Sequence, residues 1–286
     1  MTKQLCRSYA PLALILFLCC APARNIPAGN SPKTILIQDV PSAARKTIQT
    51  EQGHAALGEI QLGEEDGKKT YTVNLTEDGH ERELIVAEDG TLLSKEVTLE
   101  ETPPPVRNTI QGQLRQGSLE SIEKTLDDDE INYEVTMTAK DGTERSFTVG
   151  VDGKLLSVQT TLAEVPAPVR KAIESGIGTG KLESIDHMFE DDGTSYYVEF
   201  SREGKVRDLS VGEDGRLQSM QVFLSETPAA VQSTIKDKLG SGQIVRIDRS
   251  FEQRNGVFPY EIEGRKDGKP FNFSVGPRGK FLGMDD

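Results

Sequence analysis

The chain has three histidines, His54, His80 and His187. None has a metal-ligand partner at a productive spacing, and they stand at unrelated positions of the pattern described below, so each reads as a solvated side chain. No Gly-x-Ser-x-Gly, His-Glu-x-x-His or phosphate-binding loop occurs. Acid runs are the richer signal: Glu64-Glu65-Asp66, Asp127-Asp128-Asp129-Glu130 and Glu190-Asp191-Asp192 occupy matched turns. Calcium favours several oxygens on one tight loop. A fourth matched turn instead carries Gln253-Arg254-Asn255, and no alternating ligand series closes on a bidentate glutamate, so solvated turn charge is the simpler reading. Paired carboxylates for acid–base work need a pocket, which a small sheet with one covered face rarely provides. No catalytic, cofactor-binding or metal-binding residue is therefore assigned. Tyr197, Val206 and Phe223 stand out differently: strand alternation points all three away from the neighbouring helix, onto a face otherwise made of Thr, Ser, Asn, Glu and Arg. An aromatic and apolar cluster on a polar face is the composition of an interface core. Packing against an adjoining unit would explain it equally well.

The elements that carry these residues recur. Pro41, Pro103, Pro166 and Pro228 are 62, 63 and 62 residues apart. Each is followed at +3 by Ala44, Val106, Val169 or Val231, and at +7 by Ile48, Ile110, Ile173 or Ile235. A fixed period of this size outranks local propensity. Proline suits a helix start, and the four-residue apolar spacing, continued by Leu114, Ile177 and Leu239, puts one stripe on one helix face. Thr102 and Thr227 are placed to cap two of these helices, and Gly117, Gly180 and Gly242 to stop three.

Three strand patterns follow each helix. The second alternates most cleanly, as in Tyr71-Val73-Leu75, Tyr133-Val135-Met137 and Tyr196-Val198-Phe200. Such alternation predicts one buried and one wet face. Gly79, Gly142, Gly204 and Gly268 mark the turn after it, and Asp89-Gly90, Asp152-Gly153 and Asp214-Gly215 mark the turn after the third strand. A further segment, such as Leu92 to Leu99, ends a few residues before the next proline. The chain starts its first copy with only the second half of this segment (Ile35, Ile37) and ends its last copy with only the first half (Phe281). A long strand shared between neighbouring units is the economical reading. The expected fold class is α+β: four tandem units, each a short helix packed on one face of a three- to four-stranded antiparallel meander sheet.

The first 23 residues read as an export signal: Lys3 and Arg7, then the apolar run Leu12 to Cys20, then Ala21-Pro22-Ala23 as the cleavage site, with Ala21 and Ala23 the small residues. Lipid modification at Cys19 or Cys20 is the rival. All three cysteines, Cys6, Cys19 and Cys20, lie in this segment, so the mature chain has no disulfide or thiol chemistry. The full chain carries −13, and loss of Lys3 and Arg7 leaves −15. That charge disfavours nucleic acid and anionic membrane as partners. The expected organisation is a signal peptide over 1–23, a flexible stretch over 24–33, and repeats over 34–92, 93–155, 156–217 and 218–286.

The helix-start proline, the inward Tyr-x-Val strand, the glycine turn and the final Asp-Gly-x-Leu resemble the PepSY-like repeat family, best in Val165 to Leu217 and Thr102 to Leu155. That superfamily includes the fold of β-lactamase inhibitor protein. The resemblance implies an exported, non-catalytic protein-binding module, acting as an inhibitor or regulator of an extracytoplasmic hydrolase of the peptidase or β-lactamase class. It supplies no site residue, because the shared motif consists of core and turn positions. The alternatives are a structural or envelope-associated spacer array and a cation-responsive acidic repeat protein. The expected partner is an extracytoplasmic protein, with no cofactor.

Overall fold

The structure is a computed structural model that describes residues 33–65, 68–114, 117–127, 130–191, 193–254 and 256–285. The export signal, with Ala21, Ala23, Cys19 and Cys20, lies outside the described residues. No described helix is long and apolar enough to cross a membrane.

The chain divides into two compact units, one running to Thr136 with Val149–Lys154, the other comprising Met137–Thr148 and everything from Leu155. The elements of the first half are β1 (Lys33–Ile35), α1 (Ser42–Gln52), β2 (Ala56–Glu65), β3 (Lys68–Glu77), β4 (His80–Ala87), β5 (Leu92–Glu96), α2 (Pro104–Leu114), β6 (Ser118–Asp127), β7 (Glu130–Thr138) and β8 (Glu144–Gly150). Those of the second half are β9 (Leu155–Thr160), α3 (Ala167–Ile177), β10 (Lys181–Glu190), β11 (Gly193–Arg202), β12 (Lys205–Gly212), β13 (Leu217–Gln221), α4 (Ala229–Leu239), β14 (Gln243–Ser250), β15 (Tyr260–Lys266), β16 (Lys269–Pro270), β17 (Phe273–Val275) and β18 (Phe281–Met284).

The expectation of four separate helix-plus-sheet units is corrected. The described strands belong to one 18-stranded antiparallel sheet, accompanied among the described residues by four short α-helices. The physical reason is the shared strand. In the first unit β5 pairs with β4 through Val86↔Leu92, Ile85↔Ser94 and Leu84↔Lys95, and with β6 through Ser94↔Thr125, Lys95↔Lys124 and Glu96↔Glu123. In the second unit β13 pairs with β12 through Leu209↔Met220 and with β14 through Gln221↔Asp248. Successive peptides of a strand present their polar groups to opposite edges, so one short strand satisfies both neighbours. Separate sheets would leave those edges unpaired.

Each helix lies on the face that alternation buries. In the first unit Val40, Ala44 and Ile48 pack with Tyr71, Val73, Leu75, Leu84 and Val86. In the second, Val169, Ile173 and Ile177 pack with Tyr196, Val198, Phe200, Leu209 and Val211, while Val231, Ile235 and Leu239 pack with Ile247, Tyr260, Ile262, Phe273 and Val275. The helix ends differ from the sequence reading in detail. Pro41, Pro166 and Pro228 are themselves the N-caps, with ψ of 148°, 148° and 146°. Thr102 and Thr227 donate back to Leu99 and Leu224 carbonyls, at 2.7 and 2.9 Å, instead of capping the helix. Side chains from inside the helix bond the carbonyl just before the proline: Arg45 to Val40, Arg107 to Thr102 and Gln232 to Thr227, at 2.8, 3.0 and 2.8 Å. The third and fourth helices stop at Gly178 and Gly240, two residues earlier than expected.

The Asp-Gly turns hold the helix as well as reversing the strand. Asp89, Asp152 and Asp214 each accept from the backbone N–H two residues on, at 2.9, 2.8 and 2.9 Å. The following glycine presses on the first turn of the helix: a Cβ on Gly215 would stand 2.8 Å from the Pro168 carbonyl. Thr47, Thr109 and Thr234 then bond the carbonyls of Gly90, Gly153 and Gly279 at 2.6, 2.7 and 2.7 Å. A second recurring clamp joins Arg82 to Glu101, Arg145 to Glu164 and Arg207 to Glu226, at 3.2, 3.0 and 2.8 Å. Its constant spacing of 19 residues was present in the sequence but does not follow from strand or helix periodicity.

Candidate functional site

The face of the sheet away from the helices carries the polar chemistry. In the second unit, register brings Glu199 opposite Asp208, Gln221 opposite Asp248, and Asp248 opposite Glu261. Arg246, from a β-bulge in β14, reaches across this row. Its Nη1 donates to Asp208 Oδ2 at 2.7 Å, Nη2 to Asp248 Oδ1 at 2.8 Å and Nε to Asp248 Oδ2 at 2.5 Å, while Nη2 also bonds Asp208 Oδ1. One guanidinium thus binds two carboxylates bidentately, the strongest form of this contact. Asp208 and Asp248 retain only 6% and 9% of their exposure. Burial raises the Asp248 carboxyl above its ordinary value despite the opposing guanidinium. Burial opposes the Arg246 charge too, but the bonds to Asp208 and Asp248 outweigh it and hold the group firmly protonated.

Tyr197 stands on the same face, with its hydroxyl beside Asp208. Burial, then the Asp208 charge, pushes its phenol well above the usual range, so it stays protonated. Burial and the nearby Glu199 also raise Asp186 to about 6, against a hydrogen bond from Ser184. Val206 pairs with Ser201 and lies on this face, 63% exposed. Phe223 does not join them. Its ring is covered by Lys205 Nζ at 4.3 Å and the Arg207 guanidinium at 4.6 Å, the side chains that alternate with Val206 on β12. The third member of the expected cluster therefore serves the clamp between Arg207 and Glu226.

His54 and His80 are exposed. His187 departs from the solvated reading: it is half-buried, stacked on Tyr196 at 4.5 Å and tilted against Phe189 at 4.4 Å. Burial holds its pKa below the ordinary value, partly offset by Glu213. The acidic turns fall partly outside the described residues, and among those described no group of three His, Cys, Asp or Glu side chains is arranged to hold a metal.

In the first unit the same row is acidic, and only Glu96 finds partial relief, from the Glu83 backbone N–H and the Arg82 charge. Asn74 lies opposite Glu83, Leu84 opposite Lys95, and Glu96 opposite Glu123, which puts Glu83, Glu96 and Glu123 side by side on β4, β5 and β6. Like charges directly opposite destabilise a sheet. Glu83 Oε1 is buried without a hydrogen-bond partner. Burial, then Glu123 and Glu96, pushes the Glu83 carboxyl up to about 7. A raised carboxyl binds its proton more tightly in the folded state, so its stabilising contribution is complete below the ordinary glutamate value and is lost as pH rises through about 7. Glu83→Gln is therefore expected to raise stability at pH ~8 by about 1–2 kcal/mol, allowing for partial solvent screening, and to flatten the pH slope between ~5 and ~8. Urea melts of both proteins across that range check this. Unchanged slopes would refute it.

Neither the network around Arg246 nor the Glu83 row was identified from sequence. Strand alternation places each residue on the open face, but only register shows which of them meet.

No protein-family pattern matches the chain, and no curated protein matches it in sequence. Solved structures resemble parts of it. A DUF2874 family protein of Bacteroides ovatus aligns at 12% identity over 42% of this chain and 86% of its own, with a TM-score of 0.32. A protein of unknown function from Bacteroides vulgatus, provisionally placed in the periplasm, aligns at 19% identity over 46% of this chain and 99% of its own, at 0.31. A protein of Bacteroides fragilis described as BLIP-like aligns at 15% identity over 41% of this chain and 82% of its own, also at 0.31.

Proposed function

We propose that this chain is an exported, non-catalytic protein-binding module that inhibits or regulates an extracytoplasmic hydrolase of the peptidase or β-lactamase class. It takes its partner on the open sheet face of the second unit. The observation that supports this reading is the Asp208–Arg246–Asp248 network, its carboxylates buried and Tyr197 beside it, on the same face as the exposed Val206. A polar centre whose groups already bind one another is held rigid before a partner arrives, which lowers the ordering cost of association. An apolar residue beside it supplies the desolvated contact that protein interfaces concentrate at their centre. The same groups are committed to each other rather than aimed at a reacting atom, which favours binding over catalysis.

Affinity capture of exported proteins from the producing organism, with the full chain and with Val206→Glu, tests the surface. A specific partner is expected on the first and lost on the second, with both proteins folded. Retention on Val206→Glu would overturn the assigned face. Adding the chain to the captured partner is expected to slow its hydrolytic activity, and an unchanged rate would overturn the inhibitory reading.

A further inference from the structure

The chain contains the same sheet position twice. Pro103 and Pro228 lie 125 residues apart, and that step carries Arg82 onto Arg207, Leu84 onto Leu209, Glu101 onto Glu226 and Ile122 onto Ile247. The pairing agrees: Leu84 faces Lys95 as Leu209 faces Met220, and Glu96 faces Glu123 as Gln221 faces Asp248. On this alignment Glu83 matches Asp208, Glu123 matches Asp248 and Glu96 matches Gln221. Ser121 stands where Arg246 does.

The second unit therefore shows what this arrangement of carboxylates holds. There, the two flanking acids grip the guanidinium of Arg246 with four N–H bonds. The first unit keeps both flanking acids, adds a third between them, and replaces the arginine with a serine. Glu83, Glu96 and Glu123 form no ion pair among the described residues, and Glu83 Oε1 is buried and unsatisfied. Glu83 and Glu123 are each one methylene longer than the matching aspartates, which gives their carboxylates a longer reach. That geometry meets a group arriving from outside better than one rooted in β6.

We propose that the Glu83–Glu96–Glu123 row is a docking site for a guanidinium group of a partner protein, a surface arginine that fills in trans the place Arg246 fills in cis. Arginine suits it better than lysine, because two facing carboxylates match the planar fork and the guanidinium is more easily stripped of water. Binding relieves the repulsion of three neighbouring carboxylates. The groups facing Glu83 are Asn74 on β3, Glu96 on β5 and Glu123 on β6. Arg82 on β4 is engaged with Glu101 at 3.2 Å and Glu77 at 3.6 Å. Because the guanidinium requires ionised carboxylates, affinity rises with pH from ~6 to ~8, through the range where Glu83 loses its proton. The site is distinct from the Tyr197–Val206 surface and stands or falls separately from it.

The test is calorimetric titration of the full chain with a tetra-arginine peptide at moderate salt. A strongly acidic chain binds such a peptide weakly at many places, so the comparison with variants carries the result. Glu83→Gln/Glu123→Gln and Ser121→Arg are each expected to weaken binding about tenfold, roughly 1.4 kcal/mol. Ser121→Arg is also expected to raise the melting temperature, by supplying the missing partner internally. Tetra-lysine should bind less tightly than tetra-arginine. Full binding by both variants would overturn the proposal. So would a melting temperature raised by calcium chloride and abolished in the glutamine variant, if tetra-arginine binds that variant and the parent alike.

Discussion

Arg246→Ala is expected to destabilise the second unit by about 3–5 kcal/mol, enough to consume much of the stability of a domain this size. Its side chain, 17% exposed, is the cation bound to both Asp208 and Asp248, which are 8% and 12% exposed at the side chain. Truncation would leave two carboxylates buried a few ångströms apart with no counter-charge, and the loss measures that penalty rather than the worth of the original pair. The effect has a pH signature. Asp248 already titrates above its ordinary value because of burial, and loss of the guanidinium raises it further. The deficit should therefore be greatest at pH ~8 and shrink as acid protonates Asp248. Replacing all three charges with apolar residues of similar volume should recover most of the stability. Denaturant melts of the single and triple variants at two pH values check this. A single variant within ~1 kcal/mol of the parent would show that the network does not hold the sheet.

Gly215→Ala is the second large effect. The residue has φ +81°, and an added Cβ would lie 2.7 Å from Pro168 Cβ and 2.8 Å from the Pro168 carbonyl carbon and oxygen. Backbone strain at positive φ costs on the order of 1 kcal/mol. The collision adds about 1–3 kcal/mol, because it meets helix backbone that cannot rotate away. Gly204→Ala provides the comparison, with φ +74° and nothing within 4 Å of the added methyl. It should cost only the strain. Thermal melts in which the two variants lose equal stability would show that the turn does not bear on the helix.

These effects differ in how far they could be foreseen. The Asp-Gly turn was legible because glycine and aspartate have local conformational reasons to stand there. Its second duty, seating the first turn of the helix, depends on which helix residue comes within contact distance. Tyr197 and Val206 were legible as open-face residues because alternation has a period of two. Phe223 was not, because it lies beyond the end of β13, where alternation no longer carries it and the cations of Lys205 and Arg207 set its ring.

The wider organisation divides the same way. Proline, the apolar stripe and the Tyr-x-Val alternation determine, by themselves, where each helix begins, which strand face is buried and how the motif recurs, since each rests on preferences of residues close in the chain. The half-segments at Ile35 and Ile37 and at Phe281 also imply a strand common to adjacent repeats. Only the tertiary structure decided that β5 and β13 are paired on both edges, so that within each unit neighbouring small sheets are joined. It alone placed Glu83, Glu96 and Glu123 in one line, and Arg246 between Asp208 and Asp248. Most of those meetings join residues 13 to 40 positions apart in the chain, and strand register, which no local preference encodes, sets them.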